Sequence, residues 1–318
     1  MKSIDVIALG ELLIDFTENG FSNQGNRLFE ANPGGAPCNV LAMLQNLGHK
    51  TAFIGKIGKD NLGYELKQKV EKIGIDTSHL AEDDNVHTTL AFVHTFEDGD
   101  RDFSFYRNPG ADMMLNESEI DEDFLKAAKL FHFGTLSMTH KENCAATVKA
   151  LNIAKKNGLL ISFDPNIREP LWKNIEEARK QVKYGLSYCD ILKISDNEIQ
   201  WLTGEKDYSK GVEQIRSQYN VQLILVSMGK KGSRAYYKDV MIEADPFLKK
   251  NTIETTGAGD TFCGCILHYI LKFGLNNLDK SQIRGMLTFA NAAASIITTK
   301  KGALCVMPKI EEINTLLK

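Results

Sequence analysis

Glu254-Thr255-Thr256-Gly257-Ala258-Gly259-Asp260-Thr261-Phe262 sets three residues of little or no side chain at the mouth of an apolar helical run and a carboxylate on its first turn. Backbone N–H groups of Gly257, Ala258 and Gly259 can crowd around an anion there, where a helix N-terminus is already electropositive. Asp260 then stands beside the anion as a base. Phosphoryl transfer needs this pairing: donors for the charge on the moving group, and a carboxylate for the proton of the attacking hydroxyl. Gly and Asp at a helix start are also ordinary capping chemistry, so the loop has to be read with the rest of the chain. It lacks the Gly-x-x-x-x-Gly-Lys-[Ser/Thr] of a P-loop, and Gly257, Gly259 and Gly264 miss the Gly-x-Gly-x-x-Gly spacing of a dinucleotide fold.

Working outward, strand-length apolar runs at 5–9, 52–55, 130–133, 159–163, 191–194 and 223–227 alternate with helical periodicity over 37–47, 62–73, 141–156, 175–188, 210–219, 259–272 and 281–298. This alternation predicts an α/β fold, a mainly parallel sheet covered by helices on both faces. Segments 11–33 and 87–110 break the rhythm. The second reads as a β-hairpin around Glu97-Asp98-Gly99-Asp100, and the two together predict a small β-sheet lid over a ligand cleft. No linker, composition shift or fixed-period repeat divides the chain, so residues 1–318 are expected to form a single domain.

With 38 basic against 41 acidic residues and no strong basic run, the chain has no signature of a nucleic-acid or anionic-membrane partner. A small-molecule ligand is expected. The start lacks a basic region followed by a long apolar one, and no apolar segment reaches spanning length, so a cytoplasmic protein without membrane association is expected. The six cysteines lie scattered through apolar or helical segments, and Cys263 and Cys265 have no companion ligands for a zinc site.

Further polar groups fall where open α/β sheets bind ligands, beyond the carboxyl ends of strands. After the first strand, Gly10-Glu11-Leu12-Leu13-Ile14-Asp15 offers Asp15 as the better sugar-hydroxyl acceptor or a solvated loop acid. Gly34 and Gly35 precede a helix that Pro37 can start, with Asn39 on its first turn as ligand or cap. Asp164-Pro165-Asn166-Ile167-Arg168 brings a forked donor in Arg168. Glu198 either orients water around a magnesium ion or complements a helix dipole.

Across essentially the whole chain these residues resemble the ribokinase-like, or PfkB-type, carbohydrate kinases. Gly34-Gly35-Ala36-Pro37-Cys38-Asn39 looks like the family's N-terminal sugar motif and Thr255-Thr256-Gly257-Ala258-Gly259-Asp260 like its C-terminal catalytic motif. The resemblance implies a three-layer sandwich with a β lid. It makes Asp260 the base and Gly257, Ala258 and Gly259, with Asp260, the anion hole for the γ-phosphate. Asp15, Gly34, Gly35, Asn39, Phe105, Arg107 and Arg168 would hold the sugar; Lys193, Glu198, Ser227, Gly229, Gly232 and Asn291, with Gly257 and Gly259, would hold ATP. Mg2+ would meet Glu198 through water, and K+ would sit among Glu254, Thr256, Ile297, Lys300, Gly302 and Val306. Two departures stand out: Glu254 replaces the family's usual Asp in the cation loop, and Ser195 replaces the usual Asn three residues before Glu198.

The lid and motif variants look most like fructokinases, so phosphorylation of D-fructose at O6 is expected. The rival is 2-keto-3-deoxygluconate kinase, whose acidic substrate would need Arg107 and Arg168. An NAD-dependent oxidoreductase and a silent sugar-binding regulator are the other classes; failed glycine spacing weighs against the first and retention of Asp260 against the second. A homodimer through lid edges is a further expectation.

Overall fold

The computed structural model describes residues 2–95 and 101–318, and of residues 95 and 101–103 the backbone alone. The turn expected at Glu97-Asp98-Gly99-Asp100 lies outside the described residues. Strands run in the order β1 (Ile4–Leu9), β2 (Leu13–Phe21), β3 (Arg27–Gly34), β4 (Thr51–Gly58), β5 (Asp76–Asp83), β6 (Leu90–Thr95), β7 (Arg101–Tyr106), β8 (Ala128–Gly134), β9 (Leu160–Asp164), β10 (Ile191–Ser195), β11 (Leu223–Ser227), β12 (Ser233–Tyr237) and β13 (Val240–Ala244). Helices α1 (Ala36–Asn46), α2 (Asn61–Ile73), α3 (Glu122–Lys126), α4 (Lys141–Lys156), α5 (Ile175–Leu186), α6 (Asp196–Thr203), α7 (Tyr208–Gln218), α8 (Ala258–Phe273), α9 (Lys280–Ile297) and α10 (Ile310–Leu316) lie between and after them.

One sheet has the order β13-β12-β11-β10-β9-β8-β1-β4-β5. Its strands are parallel from β11 to β5, while β12 and β13 extend it as an antiparallel hairpin. Because side chains alternate along a strand, each central strand feeds two cores. Val6 and Ala8 of β1 pack with α1, α8 and α9, whereas Ile7 and Leu9 pack with α4 and α5 on the other face. Leu225 and Val226 of β11 divide in the same way. Both faces are therefore dry, which is why these strands read as unbroken apolar runs. The expected central strands and long helices are all present. The edge strand β5 and the β12–β13 hairpin were not expected; β5 reads Asp-Thr-Ser-His-Leu-Ala-Glu-Asp, with too little apolar content to announce a strand.

The lid is a second sheet, β3-β2-β6-β7. β2–β3 and β6–β7 are antiparallel pairs, joined by parallel pairing of β2 with β6. Its register puts Asp15 opposite Asn32 and Ala91, and Ala91 opposite Phe105, so Asp15 and Phe105 share a face. Phe16, Phe92 and Tyr106 fall on the opposite face, where Phe16 and Phe92 stack at 5.0 Å and Tyr106 meets Phe92 edge-on at 5.3 Å.

Candidate active site

Strand order reverses beside β1, because the chain passes from β1 to β4 and β5 on one side and returns to β8 on the other. Open α/β sheets bind ligands at such a point, beyond the carboxyl ends of the strands. Here a cleft of about 620 Å³ opens there, receiving Glu11 after β1, Leu136 after β8, Asn166 and Arg168 after β9, and Lys193 and Asn197 from β10 and α6. Asp15 and Phe105 enter from the lid, and Gly35, Asn39, Thr255, Thr256, Gly257, Gly259 and Asp260 close the remaining wall. A second cleft of about 510 Å³ lies on the far side of the same loop, lined by Ser227, Gly229, Gly232, Phe247, Phe262 and Asn291 among others. Thr255 and Gly259 belong to both. The loop is thus the partition between two adjoining sites.

Gly257 caps α8 in the left-handed region, at φ 75°. A Cβ there would lie 2.7 Å from Ala303 Cβ, so both the dihedral and the close approach call for glycine. The α8 N-terminus has no side-chain cap. Its first-turn donors are thereby aimed at the junction of the clefts. Ala258 contributes differently from expectation, since its N–H closes the turn onto the Thr255 carbonyl at 3.2 Å.

Asp260 is 9% exposed, and its Oδ2 accepts the side-chain amide of Asn39 at 2.8 Å. Burial raises its pKa above the ordinary aspartate value, against the opposing pull of the Asn39 hydrogen bond, Lys193 and Arg168. Asn39 Oδ1 is buried without a partner, an acceptor waiting for a donor. Beneath the cleft, Lys193 Nζ pairs with Asp164 Oδ2 at 2.9 Å, both side chains nearly buried. Burial pulls the Lys193 ammonium down, but Asp164, Glu198 and Asp260 together raise it above its usual value. Burial also pushes Asp164 up to about 6, with Glu198 and Asp260 adding to the rise. The three carboxylates keep the cation protonated, whereas for Asp164 burial outweighs the pull of Lys193.

Glu198 adopts its capping role. Its Oε2 accepts from Ser195 N–H and Oγ, both at 2.8 Å, and its Oε1 from Ile167 N–H at 2.8 Å. It thereby ties the start of α6 to the β9 exit loop between Asn166 and Arg168. Ser195, the departure from the family pattern, is a competent N-cap.

Arg107 corrects the sequence expectation. It does not line the sugar cleft. Its Nη2 and Nε pair with Asp112 Oδ2 at 2.6 and 2.8 Å, Nη1 donates to Thr139 Oγ1 at 2.8 Å and Nη2 to the Leu136 carbonyl at 3.0 Å, all in the interior. Following directly on β7, it anchors a root of the lid. Gly34 also lies behind the cleft wall, opposite Leu13 and against the Asp15 carboxylate. In the second cleft, Asn291 is committed to the fold, accepting from Ser233 Oγ at 2.9 Å and donating to the Ala244 and Asp245 carbonyls.

The segments expected to form a cation loop meet. Ile253 and Glu254 donate their N–H groups to the Thr298 carbonyl at 2.8 and 3.2 Å, and Glu254 Oε1 accepts Gly302 N–H at 2.8 Å. Ile297 offers its carbonyl to Lys300 N–H at 3.0 Å, and Lys300 Nζ points to Glu312. Val306 N–H closes a short turn onto the Ala303 carbonyl at 3.1 Å. Glu11, Asn197 and Phe247 are cleft residues that the sequence reading did not select; Glu11 was readable from its place at the end of β1 but lost to Asp15.

The model of the pfkB family carbohydrate kinases matches residues 3–310. Fructokinase-2 of Solanum lycopersicum is 40% identical over 315 residues, 98% of this chain and 96% of that protein. Among solved structures, a fructokinase with bound ATP from Xylella fastidiosa superposes with a TM-score of 0.89 at 29% identity, covering 98% of each chain. A fructokinase from Vibrio cholerae O395 in its fructose, ADP and calcium ion bound form superposes with a TM-score of 0.87 at 27% identity, covering 99% of this chain and 100% of that one. Two clefts meeting at a Gly-Ala-Gly-Asp helix start, one of them beneath a four-stranded lid, thus occur in a chain that belongs to the pfkB family of carbohydrate kinases.

Proposed function

We propose that this chain transfers the γ-phosphate of ATP to the O6 hydroxyl of D-fructose. The observation that carries the reading is Asp260, buried at the junction of two adjoining clefts, hydrogen-bonded by Asn39 and followed into α8 from an uncapped N-terminus. ATP would lie along Ser227, Gly229 and Gly232 with its base near Asn291, and the sugar would lie under the lid between Asp15, Asn39 and Arg168.

Asp260 takes the proton of the primary hydroxyl as that oxygen attacks phosphorus, and the N–H groups around Gly257 and Gly259 meet the charge on the transferred group. Lys193 stands beside Gly259, its Nζ 3.1 Å from where a Cβ would be, and supplies a positive charge at the same place. Closure of the lid, which carries Asp15 and Phe105 over the cleft, keeps water from the γ-phosphate. Glu198 would meet a magnesium ion accompanying ATP through water, since that ion prefers oxygen ligands and keeps several waters, and the ion would supply shielding of phosphate charge. K+ would be held largely by backbone oxygens of Thr256, Ile297, Lys300, Gly302 and Val306, with the Glu254 carboxylate joining the two segments.

Charge favours a neutral sugar over an acid sugar. Arg107 is locked to Asp112, Lys193 is already paired with Asp164, and the cleft carries the acids Asp15 and Asp260. A substrate carboxylate would meet Arg168 and a paired Lys193 against two acidic neighbours. The outer lid face, where Phe16, Phe92 and the exposed Tyr106 line up, fits a second copy of the chain.

The test is ADP release from MgATP with K+ across fructose, 2-keto-3-deoxygluconate, ribose, glucose, mannose and adenosine, with Asp260→Asn as the blank. Selective turnover of fructose is expected. Preference for the acid sugar would refute the charge argument, and silence on every sugar would refute the kinase reading.

A further inference from the structure

Glu11 precedes β2 and Ala36 follows β3, so they are the two feet of one lid arm. Glu11 Oε1 accepts the Ala36 N–H at 2.8 Å and closes the arm at its base. The same bond serves α1, because its N-cap, Gly35, has no side chain to satisfy the first-turn donors. Gly35 sits at φ 129° with its α-carbon against the Glu11 carbonyl, where a Cβ would overlap that oxygen. Side chain and main chain of Glu11 therefore hold one turn between them. From that turn the helix begins with Asn39 N–H on the Gly35 carbonyl at 3.0 Å, and the Asn39 amide reaches Asp260. Glu11 is 4% exposed and faces the sugar cleft. The Arg107–Asp112 pair at the other lid root lies near enough to act on its charge.

We propose that Glu11 is a positioning residue for the transfer: its carboxylate clips the feet of the β2–β3 arm together and, through the first turn of α1, aligns Asn39 on Asp260. This rests on the reading of Asp260 as the base. An ordinary helix cap would affect stability alone, whereas a positioning residue acts selectively on the sugar half of the reaction.

The variants are Glu11→Ala, which removes the acceptor, Glu11→Gln, which retains an oxygen to receive Ala36 N–H, and Glu11→Asp, which withdraws it by one methylene. In Glu11→Ala, kcat/KM for fructose is expected to fall by about fivefold or more, the loss of one buried hydrogen bond, with KM for ATP within about twofold of wild type. Glu11→Gln should recover most of that loss, and Glu11→Asp should share the defect of the alanine variant, keeping the test open where Glu11→Ala does not fold. Hydrogen exchange gives a readout independent of turnover. Amides in peptides covering 34–42 should exchange about tenfold faster in Glu11→Ala and recover protection in Glu11→Gln. A variant that melts earlier with unchanged sugar kinetics and exchange would overturn the proposal, as would equal losses toward sugar and ATP. Were wild type to phosphorylate no sugar, the function above would fail while exchange still decided the role of Glu11 in aligning the turn.

Discussion

Asn39 Nδ2 donates to Asp260 Oδ2 at 2.8 Å, joining two residues 221 positions apart on the first turns of α1 and α8. The helices support the bond by close packing. Gly264 in α8 lies against Met43 of α1 so tightly that a Cβ would come within 2.8 Å of the Met43 Cβ. The proposed base and the Gly35–Asn39 turn are thereby carried by one closely packed helix pair. The oxygen of this amide, Asn39 Oδ1, is buried with no hydrogen-bond partner.

Replacing Asp260 by Asn should lower turnover by at least ~10² while sparing ATP affinity, in line with the usual contribution of general-base catalysis. The amide is nearly isosteric, so the α8 start should keep its shape. A coupled ADP assay with a parallel nucleotide titration checks this; near-normal turnover would take Asp260 out of the role.

Replacing Asn39 by Ala should move the acid limb of the pH profile upward. Burial raises the Asp260 pKa and the Asn39 hydrogen bond opposes that rise, so removing the donor lets the pKa climb further. The base acts ionised, and activity is lost as pH falls through its pKa. In wild type that loss should come above the pKa of an ordinary aspartate, and in Asn39→Ala higher again, read from kcat/KM for sugar against pH. An unmoved limb would mean that the bond does not tune the base.

Much of this was legible before the fold. The parallel strands announced themselves because both sheet faces are buried, and Asp260 and Asn39 because each stands on the first turn of a helix entered from a small-residue turn. Arg107 misled for a physical reason: a cation beside an aromatic lid strand looks like a ligand, and only the fold shows Asp112 five residues on turning back to take it. Asn291 does line the second cleft, but its amide is held by Ser233 and two carbonyls, which spacing could not show. Glu198 caps its own helix and also receives the Ile167 N–H, a tertiary partner that spacing cannot reveal.

The two arginines should separate accordingly. Arg107→Ala leaves Asp112 buried without its partner, and breaking such a pair costs about 3–5 kcal/mol, visible as a lower denaturation midpoint. Arg168 faces the cleft and pulls down the Asp260 pKa, so Arg168→Ala should lose kcat/KM for sugar with a much smaller stability change. The reverse pattern would restore Arg107 as the substrate cation.

Glu11 makes the stability of the fold itself depend on pH. Burial raises its pKa from 4.5 to about 7, with the Ala36 N–H among the groups pulling it back. A raised folded-state pKa means that folding favours the protonated acid: the contribution is complete below the unfolded value of 4.5 and disappears as pH rises through about 7. At its upper limit the effect is of the order of 3 kcal/mol. Asp164, raised to about 6, acts in the same direction. The wild-type chain should therefore resist denaturant better at about pH 5 than at about pH 8, as far as these two acids are concerned. Glu11→Gln stays neutral throughout, so its midpoint should change less between those conditions, leaving the portion due to Asp164. An equal change in both proteins would show that Glu11 remains ionised in the fold between those conditions, and its bond to Ala36 would then be a charge-assisted one across that range.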